Sequence, residues 1–157
     1  MAERLKRLVI HCTATRQGRE VTGDEIRRWH TSPKSKGGRG WKQVGYSDLI
    51  HLNGDVENLV PYNEDQTVDP WEVTNGAAGY NSTSRHVVYA GGLAVDGFTP
   101  KDTRTPAQRE ALERYVRAFI RRHPGAEVVG HCDLPGVSKP CPCFDVKAWV
   151  RGLRAES

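Results

Sequence analysis

Long apolar runs are absent from this chain. The longest, Val87-Val88-Tyr89-Ala90, spans four residues, against the roughly 20 that a membrane-spanning helix requires, so a membrane span is excluded. The opening segment MAERLKRLVIHC has a basic flank but only Leu8-Val9-Ile10 as an apolar core, far short of the roughly 7–15 residues of a secretory signal. With no such leader, residence in a reducing cytoplasm is expected until release onto a target outside. Four cysteines in that compartment serve as thiols or metal ligands rather than as a disulfide framework. Internal repeats are also missing, and with 37% hydrophobic and 27% charged residues the composition excludes collagen and disorder. A length of 157 residues fits one domain, 1–157, able to bury a real core.

Basic side chains are missing only locally. Residues 43–84 contain no Lys or Arg and seven acids: Asp48, Asp55, Glu57, Glu64, Asp65, Asp69 and Glu72. The flanks reverse this, with eleven basic against four acidic residues in 1–42 and twelve against eight in 85–157, for a net charge of +4. Such a balance allows an anionic partner without naming one. The acidic middle is expected to supply much of the rim of any groove it helps to build.

What is present punctuates clearly. Leu8-Val9-Ile10 predicts a buried strand that delivers His11 at its end. Thr22 and Glu25 have capping-box spacing ahead of Ile26, Trp29 and His30, which predicts a helix over 23–31 stopped by Pro33. Residues 34–40 are basic and glycine-rich and read as a solvated connector. Asn53-Gly54-Asp55 between two apolar segments predicts a hairpin, and 86–90 a central strand closing on Gly91-Gly92. Thr105-Pro106 opens a helix with a buried stripe of Leu112, Val116, Phe119 and Ile120. Glu127 to Gly130 forms another short strand ending at a histidine, and Asp145 caps a last helix carrying Val146, Trp149, Val150 and Leu153. Strands interleaved with helices imply a mixed α/β fold, a central sheet of about five strands flanked by helices.

Two histidines, His11 and His131, each sit where a strand gives way to a loop, the usual place for sites held by a rigid sheet. Cys141 is the third party, with Cys143 as its near neighbour. Two imidazoles and a thiolate from three loops suit one Zn²⁺ and leave a tetrahedral position open. Such a set is not the paired C-x₂-C and H-x₃-H spacing of a nucleic-acid-binding zinc module, so no nucleic-acid partner is expected.

The surrounding strings make an ordered pattern. They are L-V-I-H-C-T-A-T from Leu8, E-I-R-R-W-H from Glu25, G-W-x-x-V-G-Y ending at Tyr46, N-G-D-V-E from Asn53, A-A-G-Y-N-S-x-S ending at Ser84, T-P-A-Q from Thr105, G-H-C-D from Gly130, and S-K-P-C-P-C-F-D from Ser138. In order and spacing, from about residue 7 to 150, the chain resembles the zinc-dependent N-acetylmuramoyl-L-alanine amidase family. The likeness is greatest to its short phage lysozymes, with peptidoglycan recognition proteins more distant. The resemblance implies zinc ligands at His11, His131 and Cys141, catalytic roles for Tyr46 and Lys139, and peptidoglycan as substrate for a monomeric hydrolase. The bond cut would join the lactyl group of N-acetylmuramic acid to L-alanine. A non-catalytic peptidoglycan-binding module on the same fold is the alternative; it has no need of an open metal site, and all five residues are present.

Three departures stand out. Many relatives carry a general-base Glu where this chain has Val88, and phage relatives carry a His in the segment occupied by Asn75-Gly76-Ala77. Arg85-His86 replaces small apolar residues. Of the remaining candidates, Cys12 and Cys132 are expected as buried thiols, His30 on the first helix, His51 and His86 on strands, and His123 as a cation at a helix C-terminus. Asp133 is read either as a support for His131 or as a turn residue. The tryptophans default to core, with Trp41 and Trp71 placed in loops where they could stack on sugar rings.

Overall fold

The structure, a computed structural model, describes residues 2–155. Positions 1, 156 and 157, which the expected domain includes, lie outside the described residues. In chain order the strands are β1 (Glu3–Arg4), β2 (Arg7–Cys12), β3 (Thr15–Arg16), β4 (Asp48–Ile50), β5 (Val56–Asn58), β6 (Thr67–Val68), β7 (Ser84–Tyr89), β8 (Gly92–Leu93) and β9 (Glu127–Gly130). The helices are α1 (Gly23–Thr31), α2 (Pro106–Arg122) and α3 (Val146–Ala155). Five strands form the central sheet in the order β5-β4-β7-β2-β9, with two small two-stranded sheets, β1-β6 and β3-β8, beside it. Four of the five run parallel; only the edge strand β5 is antiparallel, joined to β4 across the Asn53-Gly54-Asp55 turn. Gly54 there has φ +91°, a conformation a β-carbon would resist. The mixed sheet is thus the expected fold, with a hairpin shorter than the apolar segments suggested.

Side chains alternate across a strand, so the two faces of β2 have different fates. Leu8, Ile10 and Cys12 face a large core with Val87, Tyr89 and the inward stripe of α2, namely Leu112, Val116 and Phe119, together with Val146, Val150 and Leu153 of α3. Burying each such aliphatic side chain contributes about 1.5–3 kcal/mol. On the other face, α1 supplies Ile26 against Leu49 and Val88, while Val9 and Val129 meet Ala77 and Leu134 from loops. Helices therefore cover one face fully, but the second is half covered by loops, and that half is where a cleft can open.

The helix boundaries follow their caps. Thr22 and Glu25 exchange side-chain and backbone bonds at the start of α1, and Thr105 and Gln108 do the same at α2. Gln108 goes further: fully buried, it donates through Nε2 to the carbonyls of Ala90 (2.9 Å) and Ile50 (3.3 Å), locking α2 onto two sheet strands. Asp145 accepts from the Ala148 N–H at 3.0 Å, as expected for its cap role. His123 departs from expectation. It caps α2 but is 1% exposed, and burial pushes its pKa down, so it is a neutral packed ring and not a dipole-facing cation. No helix among the described residues is long and apolar enough to cross a membrane.

Candidate active site

β2 and β9 are parallel neighbours with Ile10 opposite Gly130, so the residues that follow emerge together at the C-terminal edge of the sheet. His11 is the next residue of β2, and His131 opens a short 3-10 turn directly after β9. Their ring centroids lie 4.6 Å apart. Cys141 comes from the loop after that turn, held by a 2.8 Å bond from the Cys132 N–H to the Cys141 carbonyl. Its sulfur lies 3.9 Å from Nδ1 of His11. One ligand atom from each of His11, His131 and Cys141 falls within 4.8 Å of the others. A nitrogen and a sulfur on a tetrahedral Zn²⁺ lie roughly 3.6 Å apart, given bonds of about 2.1 and 2.3 Å. The donor set and its spacing therefore fit a zinc-like cation.

Cys143 does not join this group. Its sulfur lies 4.0 Å from that of Cys12 and donates to the Gly92 carbonyl at 3.4 Å. The Cys12 hydrogen bond and burial push its pKa up, which keeps it a thiol. Cys12 is itself buried, with its thiol pushed up to about 12, chiefly by its hydrogen bond with Cys141. Asp133 accepts from the Gly130 N–H at 2.8 Å, the turn role rather than a support for His131.

Tyr46, two residues before β4, has its ring centroid 5.0 Å from that of His11, and burial, aided by Cys141 and Cys12, raises its phenol pKa so that it keeps its proton. Lys139 is exposed on the rim. Its charge adds to burial in lowering the pKa of His131. The pKa of His11 is driven well down by burial first and by neighbouring His86 and His131 next, so both candidate ligands are neutral imidazoles, the form that binds metal. All five residues line one groove of about 1060 Å³, at the upper end of the range for ligand-binding clefts.

The walls of the groove were only partly expected. Trp41 lines it, with Arg39 stacked 5.1 Å from its ring centroid, so the basic connector delivers one residue to the site. Trp29, expected in the core, is 37% exposed and lines the groove as well. Trp71 is exposed and lies outside it. Residues 43–84 do supply part of the lining, Gly45, Tyr46 and Asn75 to Ala78 among them, but not their acids: among the described lining residues the charged side chains are Arg39, Lys42 and Lys139. The acids are engaged elsewhere. Asp48 accepts from Tyr62 and Tyr115 (2.7 and 2.6 Å), Glu57 meets His51, and Glu64 pairs with Arg85 and Arg122. Arg85 lies over the Tyr62 ring at 3.8 Å, which accounts for one half of the Arg85-His86 departure.

The other half was missed from sequence. His86 is fully buried on the groove face of β7, with Nδ1 2.8 Å from Nε2 of His11 and Nε2 3.0 Å from Oδ1 of Asn81. The signal was the Arg85-His86 departure, and Gly76 makes room for it: a β-carbon added there would lie 2.6 Å from Cγ and Nδ1 of His86.

Residues 1–144 match the family described as N-acetylmuramoyl-L-alanine amidase. The endolysin of Klebsiella phage KP32 is 35% identical over 142 residues, 90% of this chain and 83% of that protein. The endolysin of Escherichia phage T7 is 32% identical over the same shares. Among solved structures, the Ph2119 endolysin from a Thermus scotoductus bacteriophage has a TM-score of 0.69 at 22% identity, covering 98% of this chain and 86% of that one. Bumblebee PGRP-SA has a TM-score of 0.65 at 16% identity, covering 94% and 81%. At such identities these two likenesses are of fold alone.

Proposed function

This chain belongs to the N-acetylmuramoyl-L-alanine amidase family, and from that we propose that it is a zinc-dependent, endolysin-like hydrolase, a single catalytic domain that cuts the amide between N-acetylmuramic acid and L-alanine in peptidoglycan. The observation that carries the reading is the convergence of one ligand atom each from His11, His131 and Cys141 within 4.8 Å at the groove that Tyr46 and Lys139 also line.

Each residue type then has a task. His11, His131 and Cys141 would hold the ion at the groove that they line. A bound zinc supplies Lewis acidity, polarising the scissile carbonyl and bringing the pKa of water near 7. Lys139 places a fixed positive charge at the rim, where negative charge develops on the carbonyl oxygen as the tetrahedral intermediate forms. Tyr46, against His11, offers an O–H to that oxygen or to the departing nitrogen. Trp29 and Trp41 give flat apolar faces for sugar rings, and Arg39 and Lys42 attract an anionic polymer.

Purified protein incubated with cell walls, with and without a chelator, tests this. Release of L-alanine amino termini without new reducing sugar ends, lost on chelation and restored by zinc, is the expected result. New reducing ends would mean glycosidase chemistry, and wall binding without any release would mean a binding module; either would overturn the proposal.

A further inference from the structure

His86 has no task in that chemistry, yet it touches His11. Imidazole nitrogens can donate or accept, so the 2.8 Å and 3.0 Å contacts of His86 do not by themselves place the protons. The far end of the chain of contacts places them. Asn81 Oδ1 also receives the backbone N–H of Ala77 at 2.9 Å. A backbone N–H only donates, so the Asn81 atom facing it is the carbonyl oxygen and not the amide nitrogen. The same oxygen faces His86 Nε2, and an oxygen without hydrogen can only accept, so His86 carries its proton on Nε2. Neither of these partners is an acid, and a fully buried imidazole with no acid partner stays neutral, which leaves Nδ1 as a bare lone pair. His11 Nε2 must then donate to it. The lone pair of neutral His11 is thereby left on Nδ1, the atom 3.9 Å from the Cys141 sulfur.

We propose that Asn81 and His86 are positioning residues that hold His11 in the tautomer and ring orientation that point its Nδ1 lone pair at the metal position. A ligand imidazole whose far N–H is donated to a fixed acceptor is oriented and made more basic. The relay runs outward from the ligand, His11 to His86 to Asn81, and is anchored by the Ala77 main chain. Gly76 leaves the room it needs. A β-carbon there would lie 2.6 Å from the His86 ring and 2.7 Å from the Gly45 carbonyl, so a larger residue at 76 would displace the ring.

The inference rests on the reading of His11 as a metal ligand, and its test separates the two. In metal-free, ¹⁵N-labelled protein near pH 7.5, two-bond ¹H–¹⁵N spectra should show His11 and His86 both as the Nε2–H tautomer; an Nδ1–H tautomer at either overturns the relay. His86→Leu removes the acceptor at similar bulk, whereas His86→Asn sets an amide oxygen near the place of Nδ1. In competition with a chromophoric chelator, His86→Leu should bind Zn²⁺ about 10–100-fold more weakly and His86→Asn should recover most of that loss. An affinity of His86→Leu within about threefold of the unchanged protein, or an Asn variant as weak as the Leu variant, overturns the proposal. If melting of the metal-free protein shows that His86→Leu does not fold, the spectrum of the unchanged protein decides. Should His11→Ala bind zinc normally, the ligand reading itself fails; should it lose zinc while His86→Leu keeps it, only the relay fails.

Discussion

The backbone N–H of Cys12 points at the sulfur of Cys141 across 3.2 Å, joining residues 129 apart in sequence. Cys12 directly follows His11, so the end of β2 presents a ring nitrogen and a main-chain donor toward one thiol. The main-chain donor holds that sulfur beside His11. Cys143, two residues on, instead gives its S–H to the Gly92 carbonyl and shares a contact with Cys12. Cys141→Ser is therefore expected to weaken zinc binding by more than about 100-fold, beyond the loss of a supporting contact, and to abolish amide release. Cys143→Ser should stay within about threefold on both counts. Zinc titration and wall digestion of the two variants check this, and the reverse outcome would assign the ligand to Cys143.

Tyr46 and Lys139 line the groove without belonging to the ligand triad. Lys139→Ala and Tyr46→Phe should accordingly each lower the rate of amide release by about 10²–10³ while leaving zinc affinity near that of the unchanged protein. Turnover and zinc binding measured side by side discriminate a missing charge or donor from a damaged metal site. A rate unchanged in Lys139→Ala would remove the lysine from the reaction.

Much of this architecture was legible because short-range signals dominate it. Thr22 and Glu25, Thr105 and Pro106, and Asn53-Gly54 each fix a local boundary through their own hydrogen bonds or allowed φ, and the elements appear where those signals stand. His11 and His131 were legible as strand ends, and parallel pairing of β2 with β9 places them together. What escaped depends on long-range packing. A buried His86 in an apolar strand looks like a misplaced polar residue until the fold brings Asn81 and His11 to its two nitrogens. The charge balance of residues 43–84 misled for a related reason: sequence counts charges, but only folding directs Asp48 and Glu64 to partners away from the groove. Trp29 likewise lies beside the buried stripe of Gly23, Ile26 and His30, at its flank, where the fold opens the groove rather than closing the core over it.

The groove's charged lining, Arg39, Lys42 and Lys139 without an acid, carries a consequence for binding. Attraction between these exposed cations and an anionic wall is screened by salt, with a Debye length of about 10 Å at 0.1 M. The KM for cell walls should rise about two- to fivefold between roughly 50 and 200 mM salt with kcat little changed. Arg39→Gln should flatten that dependence. A salt-independent KM would show that the walls are held by apolar and hydrogen-bond contacts alone.

His30 links the groove to pH. It is buried, its Nδ1 accepts the Gly45 N–H at 2.9 Å, and its ring packs 4.8 Å from that of Trp41. Burial, helped by the charge of Arg39, lowers its pKa from 6.5 to about 4. The folded state therefore keeps His30 neutral while the unfolded chain protonates it first. Stability from this group is complete above pH 6.5 and is lost as pH falls toward 4, because over that window the unfolded state binds more protons. Between pH 7 and 5 the loss attributable to His30 should be about 1–2 kcal/mol. Buried His11 and His86 shift in the same direction, so the measurement has to be a difference. His30→Asn retains an acceptor for the Gly45 N–H and cannot titrate. Urea unfolding of the metal-free proteins at the two pH values should show the unchanged protein losing more stability than the variant by that amount. Equal losses would mean that His30 titrates normally in the fold. Protonating Nδ1 in the folded protein, which happens only as pH falls to about 4, removes the acceptor that pins Gly45, the residue before Tyr46, so amide release in the unchanged protein should fall near that pH and fall less in His30→Asn.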